Sequence, residues 1–328
     1  SAACAKGWSS SSSCANAARP DHATIHAGTF GFRHFFFQAT RFSSMKRVII
    51  SADDFGLSEE VNEAIEIAHR DGLLSTASLM VSGPAAADAV RRAKKLPDLR
   101  VGLHLVAIEG PATLPPADIP LLVPQDGQFP SDQLKLGVEY FFRPAVRREL
   151  AAEIEAQFRA FAATGLALDH ANAHKHMHLH PTVGRYLIES GLRHGLRAVR
   201  VPLEPPEPLR AAGTYADTLG DAALRRWTGL LRHQAHKAGL VTNDWCFGLA
   251  WSGHMTTERV SALAAHLPDG LSEIYFHPAT AKNKLLQRLM PTYEHEAEFR
   301  TLCAPGFRSG LAHAGAMPTT WTDVACGR

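Results

Sequence analysis

The chain has 328 residues, 45% of them apolar and 20% charged, with a formal net charge of +2. That is enough chain for one large α/β domain or two small ones with a sizeable core. So small a charge, without any DNA- or RNA-binding motif, excludes a nucleic-acid partner.

Residues 1–44 carry the run Ser9 to Ser13 and a single acid, Asp21. We expect a disordered or non-native leader there rather than a targeting peptide. A domain over 45–305 and an irregular C-terminal tail over 306–328 would follow. Beyond residue 44 there are thirty basic and thirty-one acidic side chains, so the mild basicity belongs to the leader. The stretch around Phe35-Phe36-Phe37 is too short to span a bilayer, and no other segment is long enough. The five cysteines, Cys4, Cys14, Cys246, Cys303 and Cys326, form no CxxC pair. They point to a reducing, cytoplasmic setting without a disulfide framework or a thiolate zinc site.

From Arg47 onward, short β-rich runs alternate with amphipathic helices. The first strand, around Val48 to Ser51, ends in Ala52-Asp53-Asp54-Phe55-Gly56. Ser58 caps the next helix, Glu59 and Glu60 sit in its first turn, Val61, Ala64, Ile65 and Ala68 form its apolar face, and Gly72 stops it. Ser75 to Val81 is a second strand and Ala85 to Lys95 a helix. Arg100 to Leu105 is a third strand, ending in Gly102-Leu103-His104-Leu105. Residues 107–135 are Pro-rich and irregular, a length often used for lids. A long helix with Val146, Leu150, Ile154, Phe158 and Phe161 on one side follows. Leu166 to Ala173 is the fourth strand, Ala198 to Val201 the fifth, 240–249 the sixth and Leu271 to Phe276 the seventh. Helices cover Ala222 to Ala238 and Glu294 to Leu302. Strands joined by helices require a parallel sheet covered on both faces. The spread of polar strand ends favours a distorted seven-stranded (β/α) barrel, with functional groups at the C-terminal ends of its strands.

Five histidines, His170, His174, His176, His178 and His180, fall at alternate or near-alternate even positions. If that run is extended, all five share one face. Asp53-Asp54, His104 and His277 lie at three other strand ends, so a parallel barrel brings all four points to one rim. Adjacent carboxylates on an extended segment point opposite ways, one toward a metal and one toward a substrate water. Two imidazoles and a carboxylate leave open positions on a zinc-like ion. Each piece also has a bland reading. Asp53-Asp54 could form a turn, His104 and His277 could simply end strands, and the histidine run could be a solvated loop. Four such coincidences on one sheet weigh against those readings. Phe55, Trp245, Phe247 and Trp251 are candidates for stacking on a sugar or lipid, with core packing favoured for Phe247. Arg225, Arg226, Arg232 and Lys237 would form a solvated helix face or touch an anionic membrane.

Ser-Ala-Asp-Asp-Phe-Gly-Leu-Ser (51–58), Val-Gly-Leu-His-Leu (101–105), His-Ala-Asn-Ala-His-Lys-His-Met-His-Leu-His-Pro (170–181) and Glu-Ile-Tyr-Phe-His-Pro (273–278) resemble the YdjC-like carbohydrate deacetylases, in order and at family spacing. The segments 79–86, 174–181 and 248–253 resemble the hopanoid-biosynthesis-associated branch. The resemblance implies an α/β barrel of the polysaccharide-deacetylase type that removes an N-acetyl group from an amino sugar with one divalent ion, zinc or magnesium. It implies Asp54, His104 and His174 as metal ligands, Asp53 as general base toward the attacking water, and His277 as the acid that protonates the leaving amine. His178 and Arg200 would support the site from behind, His178 as an extra ligand or relay. The implied substrate is an N-acetylglucosaminyl hopanoid. Peripheral contact with the inner face of a membrane and a homodimer are further expectations.

Two alternatives stay open at this level. One is a metal hydrolase acting on a phosphoester or cyclic amide, for which Arg200 is the candidate anion ligand. The other is a histidine-rich metal-binding or lipid-carrier protein, which would hold several weakly bound ions along His174 to His180.

Overall fold

The computed structural model describes residues 45–213, 215 and 219–327. The leader expected over 1–44 lies outside them. Nine strands among the described residues form one sheet: β1 (Lys46–Phe55), β2 (Thr76–Leu79), β3 (Arg100–Leu105), β4 (Leu168–Ala173), β5 (Ala198–Val199), β6 (Val241–Thr242), β7 (Trp245–Phe247), β8 (Gly270–Phe276) and β9 (Ala316–Pro318). Their order is β6-β5-β4-β3-β2-β1-β8-β7, with β9 on β1, and every pairing is parallel.

The expected sixth strand is therefore two. β6 pairs β5, and β7 pairs β8 at the opposite end of the strand order. One stretch of chain closes the curled sheet into a distorted barrel. Buried Asn243 sits at the break. It accepts from the Val201 N–H at 2.7 Å and donates to the Val201 and Trp245 carbonyls at 2.8 Å, so polar backbone at the join keeps its partners.

The described residues 306–327 are not an irregular tail. They carry the helix Pro305–His313, then β9, then the helix Trp321–Ala325. β9 pairs the first residues of β1, Lys46 to Val48, and Ser75 Oγ donates to the Thr319 carbonyl. Trp321 is wholly buried and packs with Ile49, Ala198 and Leu271. Its ring also stacks on His170 at 5.7 Å, a role that sequence periodicity does not reveal.

The helix Glu59–Asp71 follows its expected signals. Ser58 accepts from the Val61 N–H, and Val61, Ala64, Ile65 and Ala68 are buried. The Pro-rich stretch is packed rather than lid-like. Ile119, Leu122, Val123 and Phe129 are buried. Glu153 accepts from the Thr113 and Leu114 N–H groups at 2.8 and 2.9 Å. Within that stretch only Glu109 lines the cavity described below. No described helix is long and apolar enough to cross a membrane.

Candidate active site

The interior of the barrel is polar at its C-terminal mouth. Asp53 and Asp54 end β1 where its register against β2 shifts, between Ala52 and Phe55. Asp54 has φ 63°, in the left-handed region that L side chains rarely adopt. That turn overrides strand alternation. Instead of pointing to opposite faces, both carboxylates face His104, with Asp54 Oδ1 3.3 Å from its Nε2 and Asp53 Oδ1 4.0 Å from its Nδ1.

Asp54, His104 and His174 present one ligand atom each, all within 4.8 Å of one another. Asp54 Oδ1 is also 3.3 Å from His174 Nδ1. Both Asp54 oxygens are buried without a hydrogen bond. An unpartnered buried carboxylate is costly, and a cation removes that cost. Burial pushes its carboxyl up, but His104 and His174 hold it well below the usual range, so it is charged. Two imidazoles with a carboxylate are the donor set of a catalytic zinc-like site with open positions. Asn172 fixes the His104 tautomer. Its Nδ2 donates to Asp53 Oδ1 at 3.1 Å and to Ser78 Oγ at 3.0 Å, so its Oδ1 must accept from His104 Nδ1 at 2.7 Å. The Nε2 of His104 is thereby turned toward Asp54 and His174; burial disfavours the charged ring, but the Asp53 and Asp54 carboxylates raise its pKa, and loss of the Nε2 proton frees that nitrogen to be a ligand. Such outer hydrogen bonds set a ligand's orientation and basicity.

Asp53 is held by Arg200. Arg200 Nη1 donates to Oδ2 at 2.5 Å and Nη2 to Oδ1 at 3.0 Å. The same guanidinium grips Glu273 through Nε and Nη2, both at 2.8 Å, and donates to Ser51 Oγ at 3.1 Å. All four side chains are essentially inaccessible. Burial pushes the Asp53 carboxyl up, yet the Arg200 charge overrides it and keeps Asp53 ionised. Arg200 also stacks on Tyr275, 4.6 Å from the ring centroid.

His277 follows β8. Its N–H donates to Glu298 Oε2 at 2.5 Å and its carbonyl accepts from His295 Nδ1 at 2.7 Å. Its own Nδ1 has no partner. Burial pushes the ring down to about 4, so it is uncharged at neutral pH. Asp53, His104, His174 and His277 line a cavity of about 670 Å³. Leu203, Leu249, Trp251, Leu289 and Met290 form an apolar wall on it. Glu204 shapes the 248–253 loop by accepting from the Gly248, Leu249 and Ala250 N–H groups at 2.8, 3.1 and 2.7 Å.

The histidine run is not extended beyond Ala173. It coils into a short 3-10 turn, His174–Leu179, with Lys175 and His176 at φ 50° and 54°. The five rings therefore disperse. His170, still on β4, bonds Ser78 and stacks on Trp321. His174 joins Asp54. His176 bonds the Tyr275 hydroxyl at 3.0 Å. His178 lies outside the ligand cluster, with Nε2 3.0 Å from the Arg200 carbonyl, and burial pushes it down to about 3. It holds the backbone of Arg200 rather than adding a ligand. His180 packs edge-on against Tyr140 and Phe141. Of the aromatic candidates, Phe55 and Phe247 are core, Trp245 donates to the Asp269 carbonyl, and Trp251 reaches the cavity. Arg232 donates to the Asn243 and Asp244 carbonyls, and Arg225 lines the cavity.

Asn172 and Glu273 went unassigned in the sequence, although strand alternation marks both. Asn172 shares a face with His170, and Glu273 with Tyr275 and His277. Gly102 completes this interior. A Cβ there would lie 2.3 Å from the His170 ring, so only glycine leaves room for it.

A parallel barrel with a carboxylate and two imidazoles that could hold a metal ion at its C-terminal mouth is the class that fold and geometry define. The family model described as YdjC-like protein matches residues 47–313, and the chain belongs to that family. It is 30% identical over 277 residues to a carbohydrate deacetylase of Geobacillus stearothermophilus, covering 84% of this chain and 96% of the relative. A carbohydrate deacetylase of Oceanobacillus iheyensis is 30% identical over 79% of this chain and 96% of its own. Among solved structures, an Enterococcus faecalis protein named for cellobiose-phosphate cleavage shares the fold, with TM-score 0.68 and 21% identity over 86% of this chain and 99% of that one.

Proposed function

We propose that the chain is a metal-dependent N-deacetylase acting on an N-acetylated amino sugar, carried on a glycolipid of the hopanoid kind. The observation that carries the reading is the charged Asp54, without a hydrogen bond, between His104 and His174 and beside an Arg-clamped Asp53, with Asp53, His104 and His174 lining one cavity. Relatives that are carbohydrate deacetylases support the reaction class. The apolar wall of the cavity and the resemblance at 79–86, 174–181 and 248–253 support the glycolipid.

Asp54, His104 and His174 would hold the ion, zinc or magnesium, which when bound supplies a Lewis acid and lowers the pKa of water. Asp53 is ionised and takes the proton of the attacking water. Arg200 fixes its orientation and keeps its charge. His277 is neutral at rest, so it becomes an acid only once that proton reaches it, and it then passes the proton to the departing amine. Asn172 ties the two halves together, binding Asp53 with its amide N–H and orienting His104 with its oxygen. Arg200 is engaged by two carboxylates, which weighs against a phosphoester. The dispersal of the histidines weighs against a multi-ion carrier.

The test is acetate release from N-acetylglucosaminyl hopanoid and from soluble N-acetylglucosamine oligomers, run beside a panel of phosphoesters and cyclic amides. Acetate from the acetylated sugars alone is the expected result. Phosphate release or ring opening without acetate would reject it.

A further inference from the structure

The helix Gln133–Phe142 buries Leu136 and Tyr140. Its other face is apolar and open to solvent, with Leu134 80%, Val138 51%, Phe141 44% and Phe142 71% exposed. These positions follow the spacing i, i+4, i+7, i+8, so they form one stripe rather than scattered residues. Single exposed apolar residues need no explanation; a contiguous stripe does.

The stripe sits on the barrel rim that holds the site. Tyr140 Oη donates to the Ala107 carbonyl at 2.8 Å, just past the end of β3, which carries His104. The Phe141 ring meets His180 at 5.9 Å, at the end of the turn that begins with His174.

Charge surrounds it with one sign in excess. Residues 132–149 contain Lys135, Arg143, Arg147 and Arg148 against Asp132, Glu139 and Glu149, a small positive excess in a chain whose residues beyond 44 are net −1. The three acids are each tied to groups of the protein itself. Glu139 accepts from Arg143 at 3.2 Å, Asp132 caps the helix at the Lys135 N–H, and Glu149 accepts from the Leu121 N–H. Lys135 on this helix, Arg143 directly after it and Arg148 on the next helix are exposed. Protein-binding surfaces lose charge at their centres and are depleted in lysine. Exposed Leu and Phe bordered by Lys and Arg instead match an anionic lipid surface, where apolar side chains enter the acyl boundary and cations meet phosphate.

We infer that the Leu134–Val138–Phe141–Phe142 face docks the protein on an anionic membrane surface. This rests on the glycolipid form of the proposed function, because docking there brings the mouth of the cavity to the bilayer that holds the substrate.

The test is co-sedimentation of the full chain with vesicles of phosphatidylcholine, with and without phosphatidylglycerol. It is run on wild type, on Leu134→Ser/Phe142→Ser, and on Lys135→Glu/Arg148→Glu. All four positions are exposed, so both variants should keep the wild-type melting temperature. We expect wild type to bind the phosphatidylglycerol vesicles, to release with added salt, and to lose about tenfold or more in partition in either variant. Acetate release from soluble N-acetylated oligomers should be unchanged in both variants, while release from vesicle-embedded glycolipid falls. No binding by wild type, or equal binding by the variants, overturns the inference. So does a wild-type dimer that Leu134→Ser/Phe142→Ser dissociates without any vesicle binding, since a second copy would then cover the face. Vesicle binding without acetate from any substrate would leave the docking surface standing and remove the deacetylase reading.

Discussion

Removing Arg200 tests the electrostatic frame of the site. Its guanidinium is wholly buried and makes four hydrogen bonds to Asp53 and Glu273 and one to Ser51. At an effective dielectric constant of about 20, each carboxylate at contact distance is worth about 4 kcal/mol of attraction. The cost of burying the guanidinium offsets part of this. Arg200→Met keeps most of the volume but leaves two buried carboxylates facing each other without a cation. Breaking a buried pair from one side costs about 3–5 kcal/mol. Out of a total stability of about 5–15 kcal/mol, that is a large share. Urea unfolding followed by circular dichroism should show the unfolding free energy fall by that amount. Adding Glu273→Leu removes one stranded charge, so the double variant should recover at least about 1 kcal/mol relative to Arg200→Met alone. An unfolding free energy within about 0.5 kcal/mol of wild type, or strictly additive losses in the pair, would rule out this role for Arg200.

Three further outcomes follow from the geometry. Glu155, bonded to His194, Arg193 and Ser190, is held down at about 2 against the burial that would raise it. Its contribution is therefore present above about pH 4.5 and lost as pH falls toward 2; being partly exposed, it is worth only about 1 kcal/mol. Glu155→Gln should cost that much at pH 7 and flatten the acid limb of the stability curve, and an unchanged limb would count against the pair. Gly102→Ala forces a methyl into the His170 ring and carbonyl; thermal unfolding should show a loss of about 1–3 kcal/mol or more, whereas wild-type stability would mean that His170 moves freely. Asp53→Asn should keep the metal content but lower turnover by about a hundredfold or more, measured as acetate release beside elemental analysis; full turnover would remove Asp53 as base.

Much of the site was legible because strand alternation and strand ends are local signals. Asp54, His104 and His174 come from three strands distant in sequence, and a parallel barrel necessarily gathers its C-terminal ends. What escaped depends on backbone departures from regularity. The left-handed turn at Asp54 rotates a carboxylate that alternation would place on the other face. The left-handed pair Lys175-His176 breaks the histidine ladder. The role of Arg200 was hidden because its partners, Asp53 and Glu273, are 147 and 73 residues away. The division of 241–247 turns on one side chain, Asn243, that satisfies the backbone at the join. Trp321 reaches the core from a stretch whose short, mixed elements carry no clear periodicity.

The central claim, a single divalent ion held by Asp54, His104 and His174 for deacetylation, is tested most directly by stripping the chain with chelator and adding metal back stepwise. Bound metal and acetate release from an N-acetylglucosaminyl substrate are then measured in parallel. Release should rise in proportion to metal and saturate at one ion per chain, and His174→Ala should neither bind the ion nor recover. Full acetate release from the metal-free chain, or activity that needs several loosely held ions, would contradict it.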